Sequence, residues 1–138
     1  MKRLISIPFL FLLILLSGCK KAIQNAQEDL VVRAMADGQW RVSNFVLNGT
    51  TLTSDFSTYR FKFYTNRTVD AIKNGITEQS GTWEGNAAAM TMQANFPASA
   101  APVSHLNGTW LITRNSWTYV EAGQSAGSDS KILRLDKD

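Results

Sequence analysis

Residues 68–83, TVDAIKNGITEQSGTW, decide the fold. Two short runs with β-forming residues flank Asn74-Gly75, the dipeptide that turns most readily into a two-residue hairpin because both positions accept positive φ. Upstream, Tyr59, Phe61 and Phe63 alternate with Arg60, Lys62 and Tyr64, the period of a half-buried strand. Downstream, Leu106, Gly108, Trp110 and Ile112 share one strand face, with His105 on the other. Extending this reading from Gly38 onward predicts eight strands: 39–47, 58–64, 68–73, 76–83, 89–95, 104–113, 116–120 and 131–136. No helical crossover separates any strand from the next. Neighbours in sequence therefore pair antiparallel, and eight such strands close into an all-β, up-and-down barrel.

Connection lengths then predict a polarity. The links at 48–57, 96–103 and 121–130 are long, and at their end of the barrel only Asn74-Gly75 is short. The links around 65–67, 84–88 and 114–115 are all short. One end is expected to be open and the other tightly stitched, with Trp40, Trp83, Trp110 and Trp117 plugging the stitched base.

Composition fits one domain: 138 residues, 44% hydrophobic, 10% aromatic and 18% charged. The +3 formal charge is misleading, because Lys2 and Arg3 lie in an N-terminal apolar leader. Without residues 1–18 the chain has 12 basic and 11 acidic residues, and no basic cluster with interleaved aromatics remains to track a nucleic acid.

That leader runs from Lys2 and Arg3 through an apolar stretch, Leu4 to Leu16, into Leu16-Ser17-Gly18-Cys19. It resembles a bacterial lipoprotein signal peptide. The apolar stretch is about two thirds of the roughly 20 residues that a spanning helix needs, as suits a cleaved segment. The resemblance implies cleavage before Cys19, lipidation of that cysteine, and a cell-envelope location held to the membrane by lipid, with Lys20 favouring the outer membrane. Residues 19–37 then form the tether and a short helix. Ile23, Ala26, Leu30, Val31 and Ala34 recur at helical spacing, and Gly38 is placed to end the helix.

Gly38-Gln39-Trp40, at the start of the first strand and just after that helix, is similar to the Gly-x-Trp motif of lipocalins. Gly81-Thr82-Trp83 and Gly108-Thr109-Trp110 echo it. The resemblance covers 38–138 and implies a compact lipocalin-like barrel in which Trp40 closes the base beneath a basic side chain from the last strand, with Arg134 the matching candidate. The segment is short for that family and lacks its paired cysteines.

Catalytic chemistry is poorly provided for. His105 is the sole histidine and Cys19 the sole cysteine, so histidine-paired nucleophiles, disulfides and three-histidine metal sites are excluded. The carboxylates Asp70, Glu78, Glu84 and Glu121 are scattered, and no glycine-rich phosphate loop opens a helix. No enzyme activity, metal or cofactor is expected. Two functions fit: a barrel holding a small apolar or amphipathic ligand near its open end, lined by Val46, Tyr59, Phe61, Met92 and Tyr119, or a filled barrel whose long loops bind an envelope protein.

Overall fold

The computed structural model describes residues 7–138, with side chains from Lys20 onward. The first six residues of the leader and the Cys19 side chain lie outside this description. Helix α1 (Ile7–Ala36) precedes nine strands: β1 (Trp40–Leu47), β2 (Thr50–Thr51), β3 (Tyr59–Phe63), β4 (Thr68–Lys73), β5 (Ile76–Asn86), β6 (Thr91–Asn95), β7 (Gly108–Asn115), β8 (Tyr119–Ala126) and β9 (Asp129–Lys137). From β3 to β9 successive strands pair antiparallel, β3 also pairs with β1, and β1 pairs with β9 from Trp40↔Lys137 to Leu47↔Lys131, closing an eight-stranded barrel to which β2 adds only a short hairpin with β1. The expected all-β up-and-down barrel is the observed fold. Its weakest seam joins β1 to β3 through the single pair Trp40↔Phe61.

Alternation along each strand sends one set of side chains inward. Phe61 and Phe63 on β3, Val69 and Ala71 on β4, Val120 and Ala122 on β8, and Leu133 and Leu135 on β9 are all buried, and among the described residues no polar one is. Asn74-Gly75 makes the expected hairpin, both residues having positive φ. The helix also ends as expected, with Gly38 at φ +75°. Of its expected apolar face, only Val31 and neighbouring Val32 and Met35 reach the core, while Ile23 and Leu30 stay exposed, because only the last turns of α1 touch the barrel.

Two expected segments differ. Residues 121–130 are not a loop: β8 and β9 continue to a tight turn at Gly127-Ser128, paired through Ala126↔Asp129. Small residues such as Ala122, Gly123, Ser125 and Ala126 have little strand propensity of their own, and the partner strand overrides it. Residues 103–106 form a 3-10 turn instead of beginning a strand.

Candidate functional site

The site expected from the sequence lies in the barrel interior. Trp40 and Trp83 are buried at the base, beside the last turns of α1. The Trp40 indole N–H donates to the Met35 carbonyl at 2.9 Å, and the Trp83 indole N–H donates to the Tyr64 carbonyl at 3.0 Å. Gly85 leaves room for α1, since a Cβ there would come within 3.0 Å of Val31. Lys62 donates to the carbonyls of Ala36 and Gly38 at 2.5 and 3.1 Å, and Lys137 to that of Ala34 at 3.2 Å. Two cations thus satisfy the otherwise unpaired carbonyls at the negative end of the helix.

The other two tryptophans do not plug the base. Trp117 is exposed in the turn below Lys137, and Trp110 points its indole N–H at the Leu106 carbonyl, 2.8 Å away, tying down the opposite end. The cation over Trp40 is Lys137, 5.0 Å from the ring centroid, and not Arg134. Parity explains the correction. Leu133 and Leu135 face inward, so Arg134 faces out and stacks on Tyr119 at 4.4 Å, whereas Lys137 is the residue paired with Trp40.

The end expected to be open is closed. The 3-10 turns Thr53–Phe56 and Val103–Leu106 fold inward and bury Phe56, Phe96, Val103 and Leu106. Asn107 holds this lid with its amide, accepting from the Phe96 N–H at 2.6 Å and donating to the Phe96 carbonyl at 3.3 Å. His105, expected on the outer face of a strand, is half-buried in the lid and stacks on Phe45.

A cavity of about 40 Å³ remains inside, lined only by apolar residues, among them Phe61, Met92, Phe96 and Trp110. Of the five expected ligand-binding residues, Phe61 and Met92 line it. Tyr59 is buried beside Phe61, with its hydroxyl 2.5 Å from a Glu78 carboxylate oxygen; burial, then that hydrogen bond, pushes the phenol from its ordinary value near 10 up to about 12. Val46 and Tyr119 do not belong to the interior. A register shift between Val42 and Asn44 reverses the parity of β1, turning Phe45 in and Val46 out. Tyr119 alternates with inward-facing Val120.

The outer wall has two contrasting polar faces. Across β1, β3, β8 and β9 the charges satisfy one another. Arg134 bonds Glu121 at 2.7 Å and Asp136 at 2.9 Å, Ser43 donates to Asp136, and Arg60 pairs with Asp138. The Arg134 guanidinium beside it holds the Asp136 carboxyl below the usual carboxylate range, against the opposing effect of burial. Asp136 and Glu121 in turn raise Arg134 further above its already high value.

Across β4 to β7 the pairing is partial: Thr68 donates to Asn66 and Ser80 to Asp70, each at 2.6 Å, whereas the side chains of Arg67, Thr82, Glu84, Gln93 and Asn95 make no hydrogen bond among the described residues. Register aligns Thr68, Thr82 and Asn95 in one row and Glu84, Gln93 and Thr109 in the next. Arg67 ends these rows at φ +70°, with its guanidinium 5.6 Å from the centroid of the Trp83 ring. Its Nη1 is buried and makes no hydrogen bond. Sequence reasoning missed this face, although its signal was present in the outward alternation of Thr82 and Glu84 and of Gln93 and Asn95. A depression of about 460 Å³ lies among Arg67, Thr82, Glu84, Gln93 and Asn95. Another of about 440 Å³ shares Arg67, Glu84 and Gln93 and reaches Glu28 on α1. Among the described residues, no group of three or more His, Cys, Asp or Glu could hold a metal ion, and no helix is long and apolar enough to cross a membrane.

No family model and no curated protein matches this sequence. Among solved structures, it is similar in fold to a DUF4847 family protein from Bacteroides vulgatus, with a TM-score of 0.55 and 13% identity over 78% of this chain and 97% of that one. At that identity the likeness speaks for the barrel fold alone.

Proposed function

We propose that this chain is a non-enzymatic, lipid-tethered protein of the bacterial cell envelope whose barrel is a filled scaffold and whose binding surface lies on its outside. The observation that carries this reading is the interior. Packed aromatic side chains and the inward-folded lid leave about 40 Å³, against the roughly 300–1,000 Å³ of ordinary ligand pockets. The tether rests on the basic start, the apolar stretch and Cys19.

A ligand-holding interior is the second reading, and Met92 favours it. A neighbouring cavity of about 70 Å³ between α1 and the base of the barrel shares Met92, Ile112 and Val120 with the internal one. Of the three, only Met92 is unbranched at Cβ and flexible enough to swing aside and join the two spaces. Native mass spectrometry of the full chain, expressed in bacteria and released from detergent, separates the readings. Under the first reading the mass is that of residues 19–138 plus acyl groups on Cys19. A further discrete small-molecule mass, lost on denaturation, overturns it in favour of the second. An unprocessed chain without acyl groups overturns the tether.

A further inference from the structure

We infer that the outer wall of β4 to β7, around Arg67, Glu84, Gln93 and Asn95, is a binding site for a neutral oligosaccharide. The inference rests on the reading that binding takes place outside the barrel, and names the site and the class of ligand.

Shape is the first argument. The depression of about 460 Å³ lies within the range of small-molecule pockets, some ten times the internal cavity. Its walls are regular. The pairs Thr82↔Asn95 and Glu84↔Gln93 place hydroxyl, amide and carboxylate groups side by side on two adjacent strands. Cross-strand neighbours of this kind have Cβ atoms about 4.5–5.5 Å apart, wider than adjacent hydroxyl groups of a sugar ring and comparable to alternate ones.

Chemistry is the second. Arg67 donates only, Glu84 accepts only, and the amides and threonine hydroxyls do both. One guanidinium and one carboxylate cancel, so the site has no preference for a charged ligand. A sugar is neutral, and each of its hydroxyls both donates and accepts. An anion would meet Glu84, and Glu28 beyond it, unfavourably. An apolar ligand would strip water from the polar rows without replacing their hydrogen bonds.

Preorganisation is the third. Unlike Arg134, Arg67 makes no ion pair or side-chain hydrogen bond among the described residues, but it is held by its contact with Trp83 and by the turn at 64–67. The Arg67 N–H donates to the Tyr64 carbonyl at 3.0 Å, and the Arg67 carbonyl accepts from the Trp83 N–H at 2.9 Å. The cation is thus fixed before a ligand arrives, which lowers the ordering cost of binding. Trp83 itself is buried, so the sugar is held by hydrogen bonds and not by stacking on that ring.

The test is a titration of the full chain, in a sugar-free amine-oxide detergent, with maltotriose and with the N-acetylglucosamine trimer. Two-dimensional nitrogen-proton NMR is followed at the side-chain amides of Asn66, Gln93 and Asn95. Saturable shifts confined to these signals, with a Kd of about 1–10 mM for at least one sugar, are expected. Gln93→Ala, on an exposed position, should keep the dispersed spectrum and weaken binding about five- to tenfold. Absence of saturable shifts with both sugars at about ten times that Kd overturns the site, as does binding unchanged in Gln93→Ala. Either result with a bare barrel in the mass measurement removes the saccharide site alone. A small-molecule adduct in that measurement removes the functional reading itself.

Discussion

The two ends of the barrel are closed by different means. At the base, Trp40 and Trp83 project from the strands themselves, and α1 is drawn on by two lysines and by the Met35 carbonyl. At the far end, closure belongs to segments between strands, whose Phe56, Phe96, Val103 and Leu106 fold back into the core. The difference teaches that long connections do not by themselves make a mouth. A loop that carries aromatic and aliphatic residues can gain more by burying them than it loses in being ordered.

The comparison can be broken at the base first. Trp40→Ala removes a fully buried indole together with its hydrogen bond to α1, and should cost about 4 kcal/mol in denaturant unfolding. At the lid, Phe96→Ala should cost somewhat less, about 3 kcal/mol, because a loop relaxes into the space more readily than a strand. It should also admit a fluorescent hydrophobic probe that the wild-type chain excludes; exclusion by both would show that the lid is not what seals this end. Asn107→Ala leaves the Phe96 N–H without its partner and should cost about 1–2 kcal/mol.

A finer distinction is pH-dependent. The Tyr59 phenol near the lid has its pKa raised to about 12, so the folded chain holds this proton more tightly than the unfolded one. Its contribution is fully present below about pH 10 and falls as pH rises from there towards 12. An alkaline melting series should show this decline in the wild type and a shallower one in Tyr59→Phe. Equal slopes would remove Tyr59 from the account.

How much was legible differs along the chain. The hairpin at Asn74-Gly75, the alternation of Tyr59, Phe61 and Phe63, and the role of Trp40 could be read because they depend on local turn chemistry and on strand period. The interior site was only partly legible. Phe61 and Met92 follow the period and line the cavity, but Val46 was misread because one bulge reverses every residue beyond it. Tyr119 and Arg134 were misread because the inward parity of β8 and β9 belongs to Val120 and Ala122 and to Leu133 and Leu135, which leaves their neighbours on the outer wall. The outer site was missed for another reason. Thr82, Glu84, Gln93 and Asn95 read individually as solvated strand residues, and only the cross-strand register makes them neighbours.

By itself, then, the sequence determined an antiparallel eight-stranded barrel preceded by a helix, since turn dipeptides and side-chain alternation act over a few residues and carry their meaning wherever they occur. The tertiary structure alone decided which cation covers Trp40, that the expected mouth is shut, and that one polar face is satisfied internally while the other, among the described residues, leaves Arg67, Thr82, Glu84, Gln93 and Asn95 without side-chain partners. These depend on register and on loops folding back across the barrel. Both are settled by contacts between residues far apart in the chain, which no local pattern records.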